Sequence, residues 1–312
     1  MITQDDIRAA AQRVAPYIRT TPVVQLEAGW FDVPGDTFLK LESLQVTGSF
    51  KPRGAFNRLL GQPLPPAGVI AASGGNHGIA VAYAAHKLRA RAEIYVPSLA
   101  TPLKRKMLTD LGANVVVAGN TYVEALAASE ARAAESGALK VHAFDDAATV
   151  AGQGTLALEL DAQLPDVDTV LVSVGGGGFI GGIAAWFAGR ARIVAVEPVR
   201  CPTLHRALQA RAPVDVETGG IAADSLGCRR IGNVPFSVLL PSVSESVLVS
   251  DAQIREAQRT LWNRLRVAAE PGGATAFAAL TAGAYVRAPG ERVAVVICGG
   301  NADPASFGQD AG

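Results

Sequence analysis

Apolar and polar positions alternate between two periods along most of the chain. Short apolar runs bounded by glycine, proline or polar residues predict strands at 37–42 ("TFLKLE"), 68–73 ("GVIAAS"), 92–97 ("AEIYVP"), 114–119 ("NVVVAG"), 168–174, 191–198 and 292–298 ("RVAVVIC"). Between them, segments at 51–61, 76–89, 102–113, 183–190, 251–266 and 274–285 carry the helical period. Thr3 with Asp6 forms a capping-box pattern that opens a further helix to Val14, stopped before Pro16. Strands alternating with helices predict an α/β fold of mainly parallel sheets covered by helices. The pattern is irregular between 212 and 250, where no element is placed, and "GQPLPPAG" (61–68) has the composition of a hinge.

Composition narrows the function. Of 312 residues, 49% are hydrophobic and 18% charged, enough for a substantial core. Basic and acidic residues balance at 28 each, which leaves no electrostatic footprint for nucleic acid or an anionic membrane and favours a small-molecule partner. Cys201, Cys228 and Cys298 form no C-x-x-C pair, as expected in a reducing compartment. The first residues carry acids where a signal peptide needs a basic start, so a soluble cytoplasmic protein is the expectation.

Candidate chemistry sits at three strand ends with one grammar, an apolar run followed by a glycine-rich polar turn: "VIAASGGNHG" (69–78), "VLVSVGGGGF" (170–179) and "VAVVICGGNAD" (293–303). Ligands of open parallel sheets bind beyond the carboxyl ends of the strands, where such turns converge. The tetraglycine Gly175, Gly176, Gly177, Gly178 suits an anion, because consecutive N–H groups at a helix start favour negative charge. Gly176, Gly178 and Gly181 also satisfy G-x-G-x-x-G, and Glu197 stands 21 residues beyond Gly176, where a ribose-binding carboxylate belongs. A dinucleotide and a single phosphate both remain open on this motif alone. Lys51, in "TGSFKPRGA" (47–55), lies at a helix start whose dipole disfavours a positive charge, which leans towards a neutral, nucleophilic amine.

Taken together, "TGSFKPRGA", "SGGNHG" (73–78), "VGGGG" (174–178), "CGGN" (298–301), "AGQGT" (151–155) and "EPGGA" (270–274) resemble the fold-type II pyridoxal-phosphate enzymes, and within them the serine/threonine dehydratases. The similarity runs from about Thr20 to Asn301. It implies two domains, each a mainly parallel sheet flanked by helices: residues 1–66 and 144–312 hold the cofactor, and 67–143 form a small mobile domain carrying the substrate loop. By the same resemblance Lys51 carries pyridoxal 5′-phosphate and, once displaced by the substrate amine, removes the α-proton. Phe50 packs on the cofactor ring, Gly175–Gly178 cup its phosphate, Asn76 meets its 3′ oxygen and Cys298 its ring nitrogen. Ser73, Gly74, Gly75, Asn76 and His77 close over the substrate carboxylate. A thiol, unlike a carboxylate, cannot hold a ring nitrogen protonated, which favours loss of a β-substituent over transamination. The implied reaction is dehydration and deamination of a 3-hydroxy amino acid such as threonine or serine to a 2-oxo acid and ammonia, by a homodimer.

The chain also departs from that pattern. Gly74 stands where serine racemases carry the serine that protonates the opposite face, which disfavours racemisation, although the adjacent Ser73 keeps a racemase in view. Glu197 matches one carboxylate of the family's divalent-cation site, but Thr203 occupies the second position, so no metal site is assigned and Glu197 stays open as a ligand. Ser225, in "AADS" (222–225), replaces a common glycine and is expected to reshape the pocket. The chain ends soon after "CGGNADPASF", and end-product inhibition through a C-terminal regulatory domain is expected to be absent. A nicotinamide-dependent oxidoreductase using 176–181 and a catalytically silent metabolite binder are the competing readings.

Overall fold

The computed structural model describes residues 2–27, 29 and 35–303. Its strands are β1 (Val23–Leu26), β2 (Thr37–Leu41), β3 (Val69–Ala72), β4 (Ala92–Val96), β5 (Asn114–Val117), β6 (Leu139–Lys140), β7 (Thr169–Ser173), β8 (Arg192–Pro198), β9 (Val243–Val249) and β10 (Val293–Ile297). They form two sheets, ordered β1-β2-β10-β7-β8-β9 and β5-β4-β3-β6. Every pairing is parallel except β1 with β2. The central strands β3, β7 and β10 are buried along their whole length, as apolar strands of helix-covered parallel sheets must be.

The helices are α1 (Gln4–Val14), α2 (Lys51–Leu60), α3 (Asn76–Lys87), α4 (Pro102–Asp110), α5 (Tyr122–Ser136), α6 (Ala147–Gln163), α7 (Gly178–Phe187), α8 (Thr203–Ala210), α9 (Ala223–Leu226), α10 (Asn233–Ser242), α11 (Asp251–Leu265) and α12 (Pro271–Thr281). One core joins Ile7, Val150, Phe179 and Phe236 to Val170, Val172 and Val296 of the larger sheet. Another joins Ile254, Leu261 and Phe277 to Leu171, Val194 and Val295. Around the smaller sheet, Ile79 and Leu108 pack with Val69 and Ile94, while Ala125 packs with Ile70 and Tyr95.

The placement of α2 matters most, because Lys51 opens it. Thr149 through Ala157 of α6 are buried without a break, wedged against α2 and α7. A Cβ on Gly152 would lie 2.5 Å from the Arg53 carbonyl, so α2 and α6 touch backbone to backbone. A buried ion network fixes the same crossing: the Arg53 guanidinium donates to Glu42 at 2.7 Å and Glu159 at 2.9 Å, and Lys40 also pairs with Glu159. Both cations are essentially inaccessible. Such a network adds geometric specificity more dependably than net stability.

Candidate active site

The approach to Lys51 is tightly constrained. Thr47 adopts a left-handed conformation, φ 65°, unusual for a β-branched residue. Ser49 then bridges Gly299, and the Phe50 N–H donates to the Cys298 carbonyl at 3.2 Å. The "CGGN" turn is thereby tied to the lysine segment. Pro52 fits the first turn of α2, where its missing N–H costs nothing. The Lys51 Nζ donates to the Ala143 carbonyl at 3.2 Å and sits 5.1 Å from the centre of the Phe50 ring. Desolvation pushes its pKa down, with Cys228, Cys298 and Glu270 pulling weakly the other way.

Beyond β7 the tetraglycine turns directly into α7. Gly177 is left-handed at φ 90°, and no side chain caps the helix. A Cβ on Gly176 would lie 2.3 Å from the Phe144 ring, so only glycine fits beneath that ring. The uncapped N-terminus and bare backbone make a cradle for an anion. Phe50 stacks on Phe179 of α7 with ring centres 3.8 Å apart, which locks the lysine segment to the cradle. A buried amine beside a glycine cradle fits a cofactor that needs both an imine partner and a phosphate site.

The asparagine loop belongs to the smaller sheet yet meets the larger one. The Ser73 Oγ accepts the Gly75 N–H at 3.2 Å, and Gly75, with no side chain, caps α3. Asn76 Nδ2 donates to Glu270 Oε1 at 2.6 Å, and Asn301 Nδ2 donates to Asn76 Oδ1 at 2.7 Å. Gly74 faces Ala100 and Val96, and Gly75 approaches the Asp224 carbonyl. His77 keeps its backbone on this loop while its side chain turns away. Its ring is buried, its Nε2 lies 2.9 Å from the Val141 carbonyl, and desolvation pushes its pKa down to about 3. Its imidazole belongs to the small-sheet core, leaving its backbone at the α3 start to face a ligand.

Cys298 is buried with its Sγ 3.5 Å from the Gly272 carbonyl, and desolvation lifts its pKa to about 12, so it is a neutral thiol. Glu197 corrects one reading. It is fully buried, and its two oxygens accept the backbone N–H groups of Leu204 and His205, each at 2.7 Å, at the start of α8. Burial still pushes it up to about 8. Turned into the protein, it cannot reach a ribose, and the nicotinamide reading loses its acid. The same two bonds make it a helix cap, and the neighbouring Thr203 donates to the Cys228 carbonyl. The Ser225 hydroxyl lies against Gly272, where a Cβ would come within 2.2 Å of it, so this serine packs towards α12.

Sequence reasoning gave no role to Glu270, Asn301, Phe144, Cys228 or the Ala143 carbonyl. Glu270 and Asn301 lay in motifs already noted, whereas Phe144 and Ala143 occupy a connection with no glycine signature.

This arrangement belongs to a known class. The family of pyridoxal-phosphate dependent enzymes matches residues 14–299, and the chain belongs to it. It is 35% identical to the L-threonine ammonia-lyase of Thermotoga maritima over 97% of this chain and 76% of that protein. It is 36% identical to the phenylserine dehydratase of Ralstonia pickettii over 99% of this chain and 97% of the relative. The structure superposes on maize serine racemase with a TM-score of 0.92 at 31% identity, covering 98% of this chain and 95% of that one.

Proposed function

We propose that the protein is a pyridoxal-phosphate dependent ammonia-lyase that converts a 3-hydroxy amino acid of the threonine, serine or 3-phenylserine type to a 2-oxo acid and ammonia. The observation that carries this reading is the Lys51 amine, desolvated and hydrogen-bonded to a carbonyl, beside the uncapped tetraglycine start of α7. Bound there, pyridoxal phosphate supplies an electron sink for the carbanion that forms at the substrate α-carbon.

The chain's residues do the rest. Lys51 holds the cofactor and, as a neutral amine favoured by burial, takes the α-proton at Nζ. Gly175–Gly178 bind the phosphate through backbone N–H groups, and Asn76 donates to the ring oxygen. Ser73, Gly74, Gly75, Asn76 and the His77 backbone offer the α3 start to the substrate carboxylate. Cys298 presents a protonated thiol to the ring nitrogen, and Phe50, stacked on Phe179, backs the cofactor side of Lys51. Loss of the α-proton and β-hydroxyl removes one water; hydrolysis of the released enamine returns it and frees ammonia.

Racemisation is the second reading, favoured by the superposition on a serine racemase. Gly74 brings no proton-bearing side chain to the opposite face, which leaves the Ser73 hydroxyl, an acceptor of the Gly75 N–H, as the neighbouring group with a proton to give. The two-domain division, with a small mobile unit at 67–143, is part of the same proposal. It is supported by the separate four-stranded sheet that β3, β4, β5 and β6 form. A homodimer in the cytoplasm completes it, and light scattering on the purified protein tests the assembly.

The decisive experiment is a visible absorption spectrum with product analysis. A band that is lost in Lys51→Ala, together with keto acid from threonine, serine or 3-phenylserine, supports the lyase. A colourless protein, or turnover to the D-amino acid with no keto acid, overturns it.

A further inference from the structure

Asn76 is held at both ends of its amide, and the identity of each end follows from its partners. The Thr47 carbonyl can only accept, and the Asn301 side chain reaches it at 2.9 Å, so the nitrogen of Asn301 faces Thr47. The same nitrogen lies 2.7 Å from Asn76, which must therefore offer its oxygen. The nitrogen of Asn76 is left facing Glu270 Oε1 at 2.6 Å. A rotation of the Asn76 amide would set two NH₂ groups against each other at Asn301. That clash persists even when Glu270 is protonated.

The surroundings are shaped for this chain of bonds. A Cβ on Gly299 would fall on Glu270 Oε1, and one on Gly48 would fall on Asn301 Oδ1. Thr47 holds its strained φ of 65° at the point where its carbonyl receives Asn301. Glu270 is 7% exposed, and the charged groups facing it are Lys51, Lys104 and Asp224, with the Cys298 thiol also near.

We propose that Glu270 and Asn301 are positioning residues: they clamp the Asn76 amide so that its second N–H, never its oxygen, faces the cofactor. The inference rests on the proposed function, in which Asn76 meets the ring oxygen. Neither residue is required to exchange a proton with substrate. One Asn76 N–H goes to Glu270 and the other is free to donate, which stabilises negative charge on a ring oxygen. An inverted amide would present a lone pair there and repel it.

The test is the pH midpoint of the visible band of the holoenzyme, read in wild type, Asn76→Ala, Glu270→Gln, Asn301→Ala and the double variants with Asn76→Ala. A hydrogen bond to a charged group corresponds to a shift of roughly one pH unit or more. Asn301→Ala, which removes the group that forbids the inverted amide, is expected to move the midpoint by at least half that amount in the direction seen for Asn76→Ala, whereas Glu270→Gln, which keeps an acceptor for the Asn76 nitrogen, should move it less in the same direction. In the double variants they should add nothing further, because the amide they orient is gone. Asn301 is exposed, so its variant reports even if Glu270→Gln misfolds. A normal band with unmoved midpoints, or shifts that add to Asn76→Ala, overturns the clamp alone. No band in the wild-type protein overturns the proposed function, and the clamp with it.

Discussion

His77 shows how a residue adjacent to a ligand loop can belong to the core. Its folded pKa, about 3, lies below the ordinary 6.5 because burial disfavours the imidazolium. The folded chain therefore binds fewer protons than the unfolded chain between those values. The stability that neutral His77 contributes is complete above pH 6.5 and is lost as pH falls towards 3. At roughly 1.4 kcal/mol per unit, the window is worth a few kcal/mol. Denaturant midpoints for His77→Gln should fall less steeply between pH 7 and 5 than those of wild type; parallel slopes would contradict a buried neutral ring. Gly176 invites a different substitution. Gly176→Ala places a methyl 2.3 Å from the Phe144 ring, an overpacking of about 1–3 kcal/mol in the loop that cups the phosphate. Unfolding temperature and cofactor retention should drop together, and adding Phe144→Ala should restore part of the stability. The glycine turns were legible because strand-then-glycine grammar leaves a local trace, whereas the roles given to Lys51 and Asn76 came from the resemblance of their segments to the family. Glu270 was not legible, since its contact with Asn76 spans 194 positions.

The elements read from periodicity were those with one apolar face or one short apolar run. The strands at 69–72, 169–173 and 293–297 fall within their expected segments, as do α1, α2 and α3. What periodicity missed has physical causes. Residues of α6 are buried on all sides through nine positions, so no polar face marks its turns. In the irregular stretch, α10 ends at Ser242 after an internal Pro241, and β9 begins at Val243 without an intervening turn signal. α5 carried a legible signal, the capping box of Thr121 and Glu124, that periodicity alone passed over. The crossing of α2 on α6 offers a test of what holds Lys51 in place. Arg53→Ala strands the Glu42 carboxylate, which has no exposure, and should cost about 3–5 kcal/mol in chemical denaturation. Adding Glu42→Leu should recover much of that loss, because the uncompensated charge is gone. A loss below 1 kcal/mol would mean that the ion network contributes little to the crossing.

Two of the polar contacts that join the α3 and α4 side of the smaller sheet to the larger unit are chemically unlike. The Asn76–Glu270 bond is part-buried, whereas the Lys104–Asp224 pair, 2.5 Å apart, leaves Asp224 68% exposed. Coulombic attraction at an exposed pair is screened within about 10 Å at 0.1 M salt and is typically worth under about 1 kcal/mol. A hydrogen bond shielded from water is screened far less. If closing over the substrate depends on the inner bond, raising NaCl from about 0.05 to 0.5 M should change KM less than about threefold, and Lys104→Ala should remove even that response. A tenfold rise in KM with salt, lost in Lys104→Ala, would place the closing energy in the outer pair instead. The strand order favours the first outcome. β3 in one sheet and β7 and β10 in the other each end at a glycine-rich turn. On the proposed function, backbone N–H groups at those turns would bind anions of the substrate and cofactor, adding to the closing energy a bridge that salt at the exposed pair does not reach.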